Sequence, residues 1–252
     1  MALVKTEAIV IKRMDLRETS LLVHFFTRDF GKIIGELKGI RSDPSKFASS
    51  VQLFSYNTII FYQRASGIHL VSHCDLIDDF SFIRQELARI TSASAVVELL
   101  NAIMPAEDKN EEVFNLALEV LKALSTGNKP QKLDTIFKIK LLTSSGFKPH
   151  LDSCVLCQSQ VFDQPRFSLK LGGLLCVRCQ PKEPSARSVF RGTVATILHI
   201  EKSNFQQALN IGMNPQIQRE LNLILHSFLE FHLGKELKAQ RTVKKLSNVE
   251  VP

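Results

Sequence analysis

Residues 19–39 read TSLLVHFFTRDFGKIIGELKG, and the fold is decided there. Two apolar-rich runs, 19–28 and 32–39, flank Asp29-Phe30-Gly31. Alternating apolar and polar letters on both sides of a short glycine-containing link predict a β-hairpin, with Gly31 free to take a positive φ. The same three letters open a kinase motif, but no other kinase element occurs, so the turn reading stands. Three further runs, 3–12, 51–63 and 67–76, lie outside the hairpin, with Gly67 closing the turn between the last two. Five short strands in about 80 residues predict a small closed barrel, and the OB-fold is the usual five-stranded one.

Helical spacing takes over at Ser81. Ile83, Leu87, Ile90, Ala93, Val97, Leu100 and Met104 follow steps of four and three, and Pro105 ends the stripe. A second helix is predicted over 110–126, with Val113, Leu116, Val120 and Leu124 inward and Gly127 as its stop. A third covers 131–145, with Leu133, Ile136, Phe137 and Leu141 inward, and stops at Gly146. After the cysteine segment, residues 189–209 read as helical. A last one opens at Asn214-Pro215, a cap followed by proline at the first helical position, with the stripe Ile217, Leu221, Ile224, Phe228 and Phe231 and Gly234 as its end. The expected organisation is α+β: an N-terminal five-stranded antiparallel OB-like barrel over 1–80, followed by a helical domain carrying a four-cysteine zinc segment. The helical domain takes 81–150 and 186–235, the cysteine segment 151–185, and a basic tail 236–252.

Four of the five cysteines make one pattern, Cys154-x2-Cys157, eighteen residues, then Cys176-x2-Cys179. Two residues between thiolates let both sulfurs of a turn face one ion, and two such knuckles complete a tetrahedral site. Gly172-Gly173 can turn the chain back toward the first pair. Disulfides and a redox pair are the competing uses of these thiols; the duplicated spacing favours Zn2+, one per chain. Four thiolates leave no open position for water, so such a metal is structural. His150 reads as a surface or supporting histidine, and Cys74, alone near a strand end, as a small buried hydrophobe.

Charge is unevenly spread. Residues 1–73 carry ten basic and six acidic side chains, and 151–252 carry thirteen and eight, within a chain of net charge +7. A basic face on the first domain fits a polyanionic partner. Glu7 interrupts the place where a signal peptide would continue its apolar core, so secretion is not expected. No apolar stretch is long enough to span a membrane. Phosphate-binding loops, nucleophile elbows and zinc-protease helices are absent from the letters, so catalysis and a small-molecule substrate have no anchor. His69 and His73, four apart on one predicted strand, read as a surface pair sharing a face. An RNA-binding zinc-ribbon accessory protein of translation or ribosome assembly, or a pure protein adaptor, would use the same barrel and ribbon.

Arg13-Met14-Asp15-Leu16-Arg17-Glu18-Thr19-Ser20-Leu21-Leu22, then Phe30-Gly31-Lys32 and Lys38-Gly39-Ile40-Arg41, resembles the opening of the bacterial recombination mediator family RecO. Gly146-Phe147-Lys148-Pro149, Cys154, Cys157, Phe167-Ser168, Gly172-Gly173, Cys176 and Cys179 are similar to that family's zinc segment, and element order agrees over the whole chain. Some members have lost the cysteines, so the intact set places this chain in the metal-binding branch. The resemblance implies a cytoplasmic, nucleoid-associated bacterial repair factor without catalytic turnover. Such proteins bind single- and double-stranded DNA, anneal complementary strands, and with RecR help RecA load onto DNA coated by single-stranded DNA-binding protein. It implies DNA contacts at Lys12, Arg13, Arg17, Lys32, Lys38 and Arg41. Arg219, Lys235 and Lys238, flanking the last helix, are candidates for meeting the acidic tail of the coating protein. With no Trp, and with Phe25, Phe26, Phe54, Tyr56, Phe61 and Tyr62 mostly expected in the core, electrostatic and sequence-indifferent contact is expected.

Overall fold

A computed structural model describes residues 2–16, 18–40, 51–65 and 67–234. Of these, 2–131 form one compact unit and 132–234 a second. Strands β1 (Leu3–Leu16), β2 (Ser20–Thr27), β3 (Gly31–Leu37), β4 (Tyr56–Tyr62) and β5 (Ile68–Asp78) close a barrel in the order β1-β2-β3-β5-β4. Its closing pair, β3 with β5, is parallel, and the other pairs are antiparallel. The hairpin of residues 19–39 is present, with Thr27 facing Gly31 across the turn. Gly31 has φ +62, and a Cβ there would come within 2.0 Å of the Asp108 carbonyl oxygen, so glycine is required by close approach as well as by the turn.

β1 runs longer than predicted because it serves two neighbours. Leu3–Ile9 pair with β4, Ala8–Leu16 pair with β2, and a bulge between Val10 and Lys12 bends the strand from one to the other. The run predicted from residue 51 becomes a strand only at Tyr56, since Phe54 takes φ 74 and turns the chain. A second bulge corrects the histidine pair. Ile60 faces His73 but Phe61 faces Val71, so the extra residue on β5 reverses the alternation between His69 and His73. His69 is therefore buried, with Nε2 3.2 Å from Glu107 Oε1, whereas His73 is exposed beside Ser72.

The barrel core holds Val10, Val23, Phe25, Ile33, Ile59, Phe61 and Cys74, so Cys74 is the buried small side chain expected. Phe26 points the other way and is also buried, 6.2 Å from the ring of Phe114 on α2 (Glu111–Ser125). Asn110 caps α2 by accepting from Val113 N at 3.0 Å, and Val113, Leu116, Val120 and Leu124 are all buried as predicted. The preceding helix differs from expectation at its start. Phe80 is left-handed, Ser81–Gln85 form a 3-10 turn, and α1 (Leu87–Ile103) begins only after the extended Glu86. Ala95, Val96 and Leu99 are buried beside the predicted stripe, so α1 is covered over most of its circumference.

The second unit contains all of α3 (Pro130–Ser144) but its first two residues, a four-stranded sheet and three more helices. The sheet order is β6 (His150–Cys154), β8 (Gly173–Leu175), β7 (Arg166–Ser168), β9 (Arg187–Ser188). The stretch predicted to be helical over 189–209 holds two helices, α4 (Arg191–Lys202) and α5 (Phe205–Asn210). Asn204 and Gln207 form a capping box that restarts the chain, a signal overlooked in the periodicity. α6 (Pro215–Leu233) starts at the expected Asn214 cap, but it buries Leu221, Leu225, Phe228 and Leu229, leaving Phe231 54% exposed. The buried seam is rotated from the predicted one.

Candidate metal centre and nucleic-acid interface

Cys154 ends β6, Cys176 follows β8, and parallel pairing of these strands brings the knuckles together. Gly173 permits it: a Cβ there would sit 2.6 Å from the His150 carbonyl oxygen. In the first knuckle Gln158 N donates to the Cys154 carbonyl at 2.8 Å; in the second Cys179 N donates to the Cys176 carbonyl at 2.9 Å. The sulfurs of Cys154, Cys157, Cys176 and Cys179 all lie within 4.8 Å of one another, and those of Cys157 and Cys176 are 3.6 Å apart. Tetrahedral thiolates at about 2.3 Å from an ion stand about 3.8 Å apart, so the donor set fits one metal ion. Ser159, 3.0 Å from the Cys157 sulfur, holds that thiol down to about 6, while burial pushes Cys179 up to about 12. Four sulfurs this close ionise together only with a cation among them. His150 is exposed and bonds to Ser153 at 2.8 Å, outside the cluster.

The barrel candidates are not equivalent. Antiparallel register puts Lys12 opposite His24, and His24 opposite Ile34, so Lys12 and Lys32 project from one face of β1-β2-β3 and Arg13 from the other, while Lys38 follows the end of β3. Lys12, Arg13 and Lys38 are exposed. Lys32 is engaged: its ammonium donates to the Asn101 carbonyl at 2.8 Å, and its own carbonyl accepts from Glu107 N at 2.9 Å. Burial, assisted by the charge of Lys12, lowers the pKa of His24, which sits among these groups. Arg17, Arg41, Lys235 and Lys238 lie outside the described residues. Phe25, Phe26, Phe54, Tyr56 and Phe61 are buried, and only Tyr62 of the predicted aromatics reaches 36% exposure.

On the second unit, a groove of about 390 Å³ runs between α6 and the sheet, with Leu223, Ile224 and Phe231 on one wall and Phe167, Lys170 and Arg187 on the other. Arg219 is exposed on α6 but does not line it. Sequence reading missed Lys170 and Arg187, because only the pairing of β7 with β9 brings positions so far apart to one rim. Glu220 was missed too. From α6 it accepts from Phe190 N at 3.0 Å and from the Thr193 hydroxyl, closing the start of α4, which has no cap of its own.

The family profile described as Recombination protein O N terminal matches residues 1–80, and that described as Recombination protein O C terminal matches 84–241. The chain belongs to the RecO family. Among relatives, the DNA repair protein RecO of Halalkalibacterium halodurans is 31% identical over 246 residues, covering 97% of this chain and 96% of its own. The DNA repair protein RecO of Syntrophus aciditrophicus is 28% identical, and that of Acetivibrio thermocellus 27%, each over 97% of this chain and 96% and 98% of their own lengths. The RecO match spans the barrel, the cysteine sheet and the helices together. Among the described residues no helix is long and apolar enough to cross a membrane.

Proposed function

We propose that the chain is a non-enzymatic mediator of recombinational repair in the bacterial cytoplasm, acting at the nucleoid. It binds single- and double-stranded DNA, anneals complementary strands and, with RecR, helps RecA load onto DNA coated by single-stranded DNA-binding protein. The observation that carries this reading is the match to RecO over both units, on a barrel with exposed cations and mostly buried aromatics. Lys12, Arg13 and Lys38, with Arg17 and Arg41 beside them in sequence, meet phosphates, which carry no base information. Lys32 is tied to Asn101 and adds charge more than direct contact. The four cysteines hold one structural Zn2+, which fixes the geometry of the sheet around it.

The apolar groove with Lys170 and Arg187 at its rim fits the acidic, aromatic-ended tail of the coating protein, with Arg219 exposed on α6 outside its lining; Lys235 and Lys238, proposed for the same contact, lie outside the described residues. Such a second contact raises effective concentration on coated strands. The test is annealing of complementary strands, naked and coated, alongside binding measured across salt concentrations. Annealing of both substrates is expected. Charge reversal at Lys12, Arg13 and Lys38 flattens the log-log salt slope by about 0.7 per lost contact on single strands and about 0.9 on duplex. Absence of any DNA binding at low salt sinks the reading.

A further inference from the structure

In the second unit, a cavity of about 470 Å³ lies between the 160–165 loop and α4, floored by Leu151 and Leu174. Phe162 lines it and is 61% exposed, and Arg191, at the start of α4, is exposed beside it. Asp152 and Gln160 supply the remaining polar side chains of its wall. We propose that this cavity receives one unstacked base of a single DNA strand, with Phe162 stacking on the base and Arg191 meeting a neighbouring phosphate. The proposal rests on the DNA-binding reading above and names a site for it that the barrel does not supply.

Three observations favour a nucleotide over a protein side chain. A strand binder ordinarily offers exposed aromatics as stacking platforms, and here the barrel buries all its predicted aromatics except Tyr62. Phe162 is an exposed ring lining a cavity large enough for one nucleotide. The phosphate contact falls to the Arg191 guanidinium, the cation among the cavity's lining side chains. Finally, Asp152 accepts hydrogen bonds and Gln160 both accepts and donates. That combination suits the exocyclic amino groups of adenine, cytosine and guanine, and thymine has none.

The test uses full-length, zinc-loaded protein and fluorescein-labelled oligonucleotides, mixed-sequence single strand against duplex, with Phe162→Ala and Phe162→Tyr. Because Phe162 is exposed, Phe162→Ala should keep the zinc content and melting temperature of the parent protein. Single-strand affinity should fall between about fivefold and a hundredfold, the range of one lost stacking contact. Duplex affinity should not change, and Phe162→Tyr should retain parent affinity. Oligo-dC should lose more affinity than oligo-dT. Irradiation with strands carrying 5-iododeoxycytidine should give adducts on the peptide holding Phe162. Unchanged single-strand affinity overturns the proposal, and equal losses on single strand and duplex overturn it as well. Parent protein that binds no DNA overturns the underlying function instead, so the two failures are separable.

Discussion

In the barrel, thirteen buried side chains, Phe25, Ile33, Ile59 and Phe61 among them, form one apolar cluster, whereas the cluster of the cysteine segment has five members, three of them cysteines. A buried Phe, Leu or Ile contributes about 1.5–3 kcal/mol, so the first cluster can hold a fold by burial alone. Leu175 and Ala186, even with Leu151, Phe167 and Leu174 also buried in the segment, offer much less than that to a sheet whose strands run to two, three and five residues. The sulfurs take over that task. The two regions therefore differ in what destroys them, and each can be perturbed without the other.

The largest effect is expected from the metal. Apparent binding energies of four-thiolate zinc sites are on the order of 10–16 kcal/mol at neutral pH, and they appear as folding energy. Elemental analysis should find close to one zinc per chain, and Cys154→Ser with Cys157→Ser should remove it. Limited proteolysis of that variant should cut within 150–190 while the barrel stays intact. Metal-free protein with unchanged melting and proteolysis would break the comparison. The reverse perturbation is Phe61→Ala. Phe61 is fully buried, edge-on to Phe30 at 5.5 Å and 5.2 Å from the ring of His69. Its truncation should cost about 3–5 kcal/mol, read by denaturant unfolding, with zinc content unchanged.

Glu220→Ala is expected to act at an intermediate scale. It leaves the buried Thr193 hydroxyl without its acceptor and uncovers the start of α4. A loss of about 1–3 kcal/mol is expected in the second unit, and Glu220→Gln, which keeps an acceptor, should lose less. Hydrogen exchange of the α4 amides should report the change, and equal exchange in both variants would assign the bond no role.

Period and punctuation made the barrel legible, because each strand buries one face and glycine marks the hairpin. The cysteine cluster was legible for a different reason, since its spacing encodes the local geometry of a ligand pair. What escaped depended on tertiary partners. The bulge on β5 that buries His69 has no letter of its own, and the seam of α6 is rotated by the neighbours it meets. Lys32 reads as a free surface cation in sequence, and only the fold brings Asn101 to it. Glu220 lies thirty residues from the amide it caps.

The smallest effect sharpens the comparison through pH. His24 sits on β2 opposite Lys12, and burial, then the Lys12 charge, holds its pKa below the ordinary 6.5. The unfolded chain therefore binds a proton that the folded barrel resists. Stability contributed by neutral His24 is fully present above the unfolded value and is lost as pH falls below it toward the folded pKa. The first unit should thus lose melting temperature modestly between about pH 6.5 and pH 5. The His24→Asn variant should lose less over that interval. Lys12→Met should act in the same direction by removing the second cause of the shift. Melting is to be followed at several pH values in both variants and in the parent protein. Parallel curves for all three would show that acid sensitivity in this range belongs to other groups, the thiolates of the cysteine segment first among them.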